Sequence, residues 1–347
     1  MKSILLLGVF LFAGLINGSA QSPQTENYYV KVSQNIELRG LSHIRYQIFE
    51  DSAKSDAFDI RRARLDFRGD VARNIGYRLH LELAGTPKIL DATFVYKPKD
   101  FFNVNIGQSK TPYCYDNLHS PWALLTVSRT QIDNALSGRE DDLYGNQNGR
   151  DVGLWLSGKL NIGKNEKKRP IVDYTLGIYN GAGMNVVDNN KEKDFGCAVR
   201  FSPVKDLWVS GRFYNGVGQT AEEPGVNADR MRLGSDISYK FRVFLFEAEY
   251  LKGSDESDSL ALLKRNGYYV TLGYTPIKDK LQVIARLDSY DRDINKDLNM
   301  VNKYILAANW YFTKNTRIQA EFDLVVEEDT EKLVANNLFA IQFQAGF

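Results

Sequence analysis

The feature of the sequence that most constrains its fold is an alternation of apolar and polar residues that recurs from end to end. In "IGYRLHLEL", residues 75–83, Ile, Tyr and Leu occupy every second position, with Arg78, His80 and Glu82 among the residues between them. Successive side chains of a strand point to opposite faces, so such a segment has one apolar and one mixed or polar face. We count sixteen such segments, without a helical segment between them.

The alternating segments follow one another along the chain. Among them are "LSHIRYQIF" (41–49), "FDIRRARLDF" (58–67), "ATFVY" (92–96), "FFNVNIG" (101–107), "DVGLWLSG" (151–158), "DYTLGIY" (173–179), "RMRLGSDISY", "VFLFEAEY", "GYYVTLGY", "LQVIARLDSY", "YILAANWYF" and "TRIQAEFDLV".

The connections between these segments alternate in length. Short ones combine an aromatic residue, Pro, Lys and Asp, as in "YKPKDFF" (96–102), "FSPVKDLW" (201–208) and "YTPIKDKL" (274–281), and "YFTKNTRI" (311–318) is a variant without Pro. The intervening loops are mostly longer and rich in Gly, Asn, Asp and Glu. Tight turns at one rim and long loops at the other predict an all-β fold, a transmembrane antiparallel up-and-down β-barrel of about 16 strands in a bacterial outer membrane.

A secreted β-sandwich is the alternative fold, because its strands also bury one apolar face. A two-sheet sandwich rarely strings together so many consecutive meander strands. Aromatic residues also lie near strand ends, as an interfacial girdle requires: Tyr96, Tyr239, Tyr250, Tyr268, Tyr274, Trp310 and Phe312. Both observations favour the barrel.

The chain ends on an alternating segment, "NLFAIQFQAGF", in which Phe339, Ile341, Phe343, Ala345 and Phe347 share one face. A terminus this apolar is unusual unless it is firmly paired. We therefore predict that it is the closing strand, with its apolar face against lipid, and that it pairs with the first strand.

The N-terminus predicts export. Residues 1–20 contain Lys2, the apolar run "ILLLGVFLFAGLI" and the small-residue stretch "NGSA", the pattern of a signal peptide cleaved after Ala20. Gln21 follows, where a lipidated N-terminus requires Cys. We assign residues 21–34 to a short periplasmic N-terminal segment and residues 35–347 to the barrel. No later apolar run approaches the roughly 18 to 20 residues of a membrane-spanning helix.

The composition argues against several other functions. The net charge is only +1, with 44 basic and 43 acidic residues, which gives no case for nucleic-acid binding. Cys114 and Cys197 do not make a disulfide framework. The three histidines, His43, His80 and His119, lie on separate segments without metal-ligand or catalytic spacing. The sequence therefore predicts no enzyme, no metal and no cofactor.

The second strand is the most unusual, because its inward face is strongly charged. In "FDIRRARLDFRGD", Ala63, Leu65 and Phe67 share one face, and the other face carries Arg62, Arg64, Asp66, Arg68 and Asp70. Guanidinium groups bind carboxylate and phosphate oxygens through a fixed fork of donors, so Arg62, Arg64 and Arg68 are candidates for an anion path. The simpler alternative is a set of ion pairs, with Asp66 and Asp70 as partners, that only keeps the interior solvated.

The run "FDIRRARLDFRGDV", followed by "LDATFVYKP", "NVNIGQSKTPY", "GRDVGLWLSGKL", "YTLGIYNGAG" and "NWYFTKN", resembles the phosphate-selective porin O and P family. The resemblance spans nearly all of the mature chain. It implies a sixteen-stranded homotrimeric porin of the outer membrane, with a long third loop folded into the lumen and basic residues lining an anion path. The expected partners are outer-membrane lipid, lipopolysaccharide and small anionic or hydrophilic solutes.

The third loop is the stretch of about forty residues between "NIGQSK" and "GRDVGLW", far longer than an ordinary hairpin loop. Its segment "PWALLTV" is apolar enough to pack against the inner wall. This packing would leave Lys110, Arg139 and Arg150, together with Arg129, at a constriction, opposed by Glu140, Asp141 and Asp142.

The sequence also departs from the family pattern. Ser109 and Tyr113 replace an expected bulkier residue and Phe, and many acids fall on inward faces: Glu82, Asp91, Asp236, Glu247, Glu249, Asp288, Glu321 and Asp323. We predict a passive diffusion channel for small hydrophilic solutes that prefers anions, without fixing phosphate as the solute. The alternative is a barrel plugged by its third loop that acts as a binding or anchoring surface.

Overall fold

The computed structural model describes residues 30–33, 36–141, 143–163, 169–221, 225–256, 262–329 and 335–347. The predicted signal peptide lies outside these residues, as does the predicted periplasmic segment apart from residues 30–33. The described strands are β1 (Val30–Ser33), β2 (Ile36–Phe49), β3 (Ala57–Ala72), β4 (Ile75–Glu82), β5 (Lys88–Lys99), β6 (Phe102–Lys110), β7 (Arg150–Ile162), β8 (Arg169–Tyr179), β9 (Asp194–Phe201), β10 (Leu207–Gln219), β11 (Asn227–Phe241), β12 (Phe244–Glu256), β13 (Leu263–Ile277), β14 (Leu281–Asp291), β15 (Met300–Thr313), β16 (Thr316–Glu327) and β17 (Leu338–Gly346).

Strands β2 to β17 form one closed sheet. Each pairs antiparallel with the next in the chain, and β17 pairs with β2 from Leu338 opposite Phe49 to Gly346 opposite Leu41. The predicted sixteen-stranded up-and-down barrel, with the C-terminal strand closing on the first strand, is therefore confirmed. β1 pairs antiparallel with β2, with Val30 opposite Leu38.

The alternation in the sequence sorts side chains between the two faces of the wall. On β11, Met231 and Leu233 are exposed on the outside, and Arg230 and Arg232 are buried on the inside. The aromatic residues predicted near strand ends also lie on the outer face, with Tyr250, Tyr268, Tyr274, Trp310 and Phe312 all exposed. An apolar outer surface around a polar interior is the arrangement that suits lipid. Among the described residues, no helix has the length and apolar character needed to cross a membrane.

The short connections are tight turns, as predicted. Asp206 between β9 and β10 and Asp279 between β13 and β14 have φ of 63° and 58°. Aspartate tolerates this left-handed region better than most residues because its short side chain bonds locally. In these two of the three Pro-containing turns, the Asp therefore has a direct conformational reason.

The connection between β6 and β7, residues 111–149, folds into the barrel; we call it L3. It contains two short helices, α1 (Tyr115–Leu118) and α2 (Gln131–Leu136), and a 3-10 turn (Pro121–Ala123). One apolar cluster joins L3 to the far wall, with Tyr113, Cys114, Ile132, Ala135 and Leu136 from L3 packed against Tyr179, Tyr214, Leu251, Tyr269 and Tyr290. L3 therefore lies against the wall formed by β8 to β14.

Candidate functional site

Carboxylates on the inner wall hold the backbone of L3. Glu249 on β12, Asp288 on β14 and Glu321 on β16 are all buried. Each accepts main-chain hydrogen bonds from L3: Glu249 from Tyr115 (2.5 Å) and Asp116 (3.1 Å), Asp288 from Gln131 (2.9 Å), and Glu321 from Val127 (2.6 Å) and Ser128 (3.1 Å). These acids face inward, as the sequence predicted, but L3 covers them, so they do not oppose anions in the open lumen.

Cationic and amide side chains complete this docking. Arg317 Nη2 donates to the Leu124 carbonyl at 2.8 Å, and Asn309 Nδ2 donates to the Leu125 carbonyl at 2.9 Å. Arg265 Nη1 donates to Asp141 Oδ1 at 2.9 Å. The prediction that "PWALLTV" packs against the inner wall is therefore correct.

On its other side, L3 faces β2, β3 and β4 across a cavity of about 190 Å³. Leu118, Ser120, Pro121 and Trp122 line it from L3, and Gly40 and Leu41 line it from β2. The remaining lining side chains are polar: Arg39, Arg64, Asp66, Arg68, Arg78, His80, Lys110 and Arg150. The lining thus combines six cationic side chains with a single carboxylate, and we call it the cationic cavity.

Four of the six basic residues selected from the sequence line this cavity. Arg64 donates from Nε to Glu82 at 2.6 Å, and Arg68 donates from Nε to Asp66 at 2.9 Å. Lys110 ends β6 and donates to the His119 carbonyl at 2.8 Å, and Arg150 begins β7 and donates to Asp91 at 2.9 Å. L3 begins directly after Lys110 and ends directly before Arg150, so these two residues lie at its two ends.

The structure places the other two basic residues selected from the sequence, Arg62 and Arg139, outside the lining of the cationic cavity. Arg62 is buried, and its Nη1 lies 3.0 Å from Nδ1 of His43. Arg139 belongs to the interior of L3, where Nε donates to Asp133 at 2.8 Å and Nη2 donates to Asn117 at 2.7 Å. Arg129 is likewise buried within L3, and Asp142 lies outside the described residues.

The ion pairs around the cavity are shared and leave an excess of positive charge. Asp66 accepts from Arg68 and Arg78, and Asp91 accepts from Arg150 and forms an ion pair with Arg78 at 2.9 Å. Counting the carboxylates that pair with lining residues, Glu37, Asp66, Glu82 and Asp91, six cationic groups meet four acids, an excess of two positive charges. The pairs fix the guanidinium groups in place without neutralising the site.

Sequence reasoning missed Arg39 and Arg78 as lining residues. Both lie on the inward faces that the alternation predicts, but their approach to Arg68 depends on strand register. Arg78 lies directly opposite Arg68, and Arg39 lies opposite Asp66. Register is set by pairing between strands and cannot be read from one strand alone.

Arg61 was also missed, because a β-bulge re-aims it. The register of β2 and β3 passes from Ile44 opposite Ile60 to His43 opposite Arg62, so Arg61 has no partner in the ladder. Arg61 is exposed, and its charged neighbours include Arg45 and the L3 residues Glu140 and Arg129, which places it on the lumen side. The signal available in the sequence was the adjacent pair Arg61 and Arg62, because a regular strand would place one of the two on the apolar face.

Neither cysteine forms a disulfide. Cys114 is buried in L3, and Cys197 lies on the outer face of β9, where the alternation predicted it. Among the described residues, no three His, Cys, Asp or Glu side chains are arranged to hold a metal ion.

A closed sixteen-stranded antiparallel barrel with an apolar exterior, a charged interior and a third loop folded inward is the architecture of a porin, a channel protein of the bacterial outer membrane. The model of the family "Phosphate-selective porin O and P" matches residues 36–347. The chain belongs to this family, as the sequence resemblance indicated, and is an outer-membrane porin.

Solved porins share this fold. The anion-selective porin from Comamonas acidovorans matches with a TM-score of 0.70 and 16% identity, covering 90% of this chain and 99% of that one. OmpT of Vibrio cholerae matches with a TM-score of 0.67 and 12% identity, covering 92% of this chain and 100% of that one. Salmonella typhi OmpF in complex with daunomycin matches with a TM-score of 0.66 and 12% identity, again covering 92% of this chain and 100% of that one. No curated protein sequence matches the chain.

Proposed function

We propose that this porin passes small hydrophilic solutes by passive diffusion, prefers anions, and guides them through the cationic cavity between L3 and the wall of β2 to β4. The observation that carries the proposal is the lining of that cavity, with six cationic side chains and one carboxylate. An anion there exchanges part of its hydration for fixed positive side chains, and a cation meets repulsion.

Free donors on the lining support this route. Arg64 uses only Nε for Glu82, so both of its terminal nitrogens are without a protein partner among the described residues. Arg68 bonds Asp66 through Nε and Nη2, and its side chain is 37% exposed. Guanidinium N–H groups suit carboxylate and phosphate oxygens, and the limited number of free donors keeps each contact weak enough for release.

Phosphate is the first solute to test. The name of the family and the anion selectivity of the similar porin from Comamonas acidovorans both support an anion path. The shared ion pairs within the cavity favour a general anion preference over an exclusive phosphate site.

We further propose a homotrimer in the outer membrane, in contact with lipid and lipopolysaccharide and exported by the N-terminal signal peptide. One of the similar Vibrio cholerae OmpT structures is of a trimer form, which supports this assembly. The apolar outer face of the barrel supplies the surface for lipid and for neighbouring subunits.

The proposal is tested with Arg64→Gln/Arg68→Gln in a planar bilayer under a potassium chloride gradient. The anion-to-cation permeability ratio is expected to fall by up to about fivefold for each charge removed, because one such charge contributes up to about 1 kcal/mol to a charged neighbour. The matched control, Arg73→Gln/Arg292→Gln, removes the same charge from exposed positions outside the cavity and is expected to leave the ratio unchanged. Equal ratios for both double variants would refute the route.

A further inference from the structure

A second cationic group lies in the lumen, apart from the cationic cavity. Arg200 is on β9, whose outward side chains Phe195, Val199 and Phe201 are exposed. Arg200 alternates with them and so lies on the inner face, one residue before the strand ends at the turn that leads to β10. The guanidinium carbon lies 4.8 Å from the ring centroid of Trp208 and 5.4 Å from that of Tyr115 in L3.

Arg200 differs from a neighbouring arginine that shares the same tyrosine ring. Arg212 also lies 5.4 Å from Tyr115, but its Nε donates to Asp236 at 2.6 Å and its Nη1 donates to the Pro112 carbonyl at 2.7 Å. Arg200 makes no ion pair or hydrogen bond with any described residue, and its Nε is buried without a partner. Asp173, directly opposite it on β8, makes no ion pair with it either.

The chemistry of this group points to a particular ligand. Aromatic rings against the guanidinium hold its plane and leave its terminal N–H groups, and not the buried Nε, for an oxyanion. Trp208, which is only partly buried, adds an apolar surface beside the guanidinium group. Binding sites that combine aromatic surface with one or two placed polar groups suit organic ligands better than bare ions.

We propose that Arg200, with Trp208 and Tyr115, forms a binding site for small organic anions that carry a planar apolar group, such as aromatic carboxylates. We call it the Arg200 site. It rests on the proposed anion channel and adds a preference among anions, because acetate and inorganic phosphate lack the group that contacts Trp208. The site lies near the end of the lumen where the short turns connect the strands.

The test compares benzoate and acetate as inhibitors of chloride current through the purified porin in a planar bilayer. Benzoate is expected to inhibit at lower concentration than acetate. In Arg200→Gln, benzoate inhibition is expected to weaken by about tenfold, the loss of one charge-assisted contact. The matched control is Arg242→Gln, because Arg242 also stacks on an aromatic ring, Phe241, but is exposed in the turn between β11 and β12. It is expected to behave as the unmodified protein.

A second variant separates stacking from charge. Trp208→Leu keeps Arg200 and is expected to weaken benzoate inhibition while leaving the effects of acetate and phosphate unchanged. Equal inhibition by benzoate and acetate would overturn the Arg200 site, and so would benzoate inhibition that is as strong in Arg200→Gln as in the unmodified porin. If the unmodified porin showed no anion preference or no current, the proposed function would fail as well. If the porin is anion-selective but Arg200→Gln leaves benzoate inhibition unchanged, only the Arg200 site is refuted.

Discussion

Inward-facing arginines in this barrel fall into two groups that differ in how far their guanidinium groups are open to the lumen. Arg212, Arg230, Arg232 and Arg265 are buried and paired with the carboxylates Asp236, Asp194, Asp255 and Asp141. Arg39, Arg61, Arg64 and Arg68 lie on the opposite side of L3 and are partly or largely open to the lumen. The first group fixes structure, and the second remains available to solutes.

The first group is expected to matter for stability. Arg265 bonds both Asp141 in L3, at 2.9 Å, and Asp255 on β12, at 2.8 Å. Arg265→Met leaves two buried carboxylates without this partner, which costs about 3 to 5 kcal/mol in comparable buried pairs. The unfolding temperature in detergent is expected to drop clearly. Arg39→Gln serves as the control, because the ion pair of Arg39 with Glu37 is partly exposed on both sides, and it is expected to change the unfolding temperature little; a similar drop in both would contradict the division into two groups.

At the scale of elements, the position of L3 decides where the free lumen lies. The apolar cluster fixes it to β8 to β14 and the carboxylates Glu249, Asp288 and Glu321 bond its backbone to β12, β14 and β16, so L3 lies against β8 to β16 and leaves the cationic wall uncovered. Without this docking, the same acids would face the lumen and oppose the arginines. The anion preference that we propose is therefore as much a property of L3 as of the arginines.

Removing the docking carboxylates is expected to release L3. Glu249→Ala/Glu321→Ala leaves four main-chain N–H groups without these acceptors, at about 1 to 3 kcal/mol for each one that stays buried. The released loop should become sensitive to added protease, and single-channel conductance should change. Glu140→Ala alters an exposed acid of the same loop and should leave the protease pattern as it was. An intact L3 in the double variant would show that the apolar cluster alone holds it.

The sequence could predict the strands, the closing strand and the inward faces, because each depends on local alternation. It could not predict the path of L3, since Glu249 meets Tyr115 across 134 residues of chain and Glu321 meets Val127 across 194. It also could not separate Arg64, which lines the cavity, from Arg62, which lies against His43. Alternation assigns a face, whereas the pairings on that face depend on register, the bulge at Arg61 and the loop.

At the scale of the whole molecule, the closing seam brings the first strand, the last strand and L3 together. Gly40 and Phe347 exchange main-chain hydrogen bonds of 2.9 and 3.1 Å. A Cβ at Gly346 would lie 1.8 Å from the Trp122 ring and 2.3 Å from the Gly40 carbonyl oxygen. Barrel closure and the wall of the cationic cavity therefore share one tightly packed point.

Gly346→Ala is accordingly expected to impair both closure and permeation. The Gly40 backbone cannot make room for the added methyl group without straining the seam, so the yield of folded, heat-modifiable barrel should fall. In the molecules that do fold, the methyl group should displace Trp122 and thereby alter the conductance. Gly211→Ala on β10 is the matched control, because its Cβ would meet no atom within 4 Å. Equal folding yields for the two variants would contradict the packing at the seam.

The central claim, an open channel that favours anions, is tested most directly by the reversal potential of the unmodified porin in a planar bilayer under a potassium chloride gradient. The cationic cavity predicts a steady conductance with a reversal potential displaced toward that of chloride, and a reduced chloride current when phosphate is added. A reversal potential displaced toward that of potassium would contradict the anion path. The absence of steady conductance would instead favour a plugged barrel that serves as a binding surface.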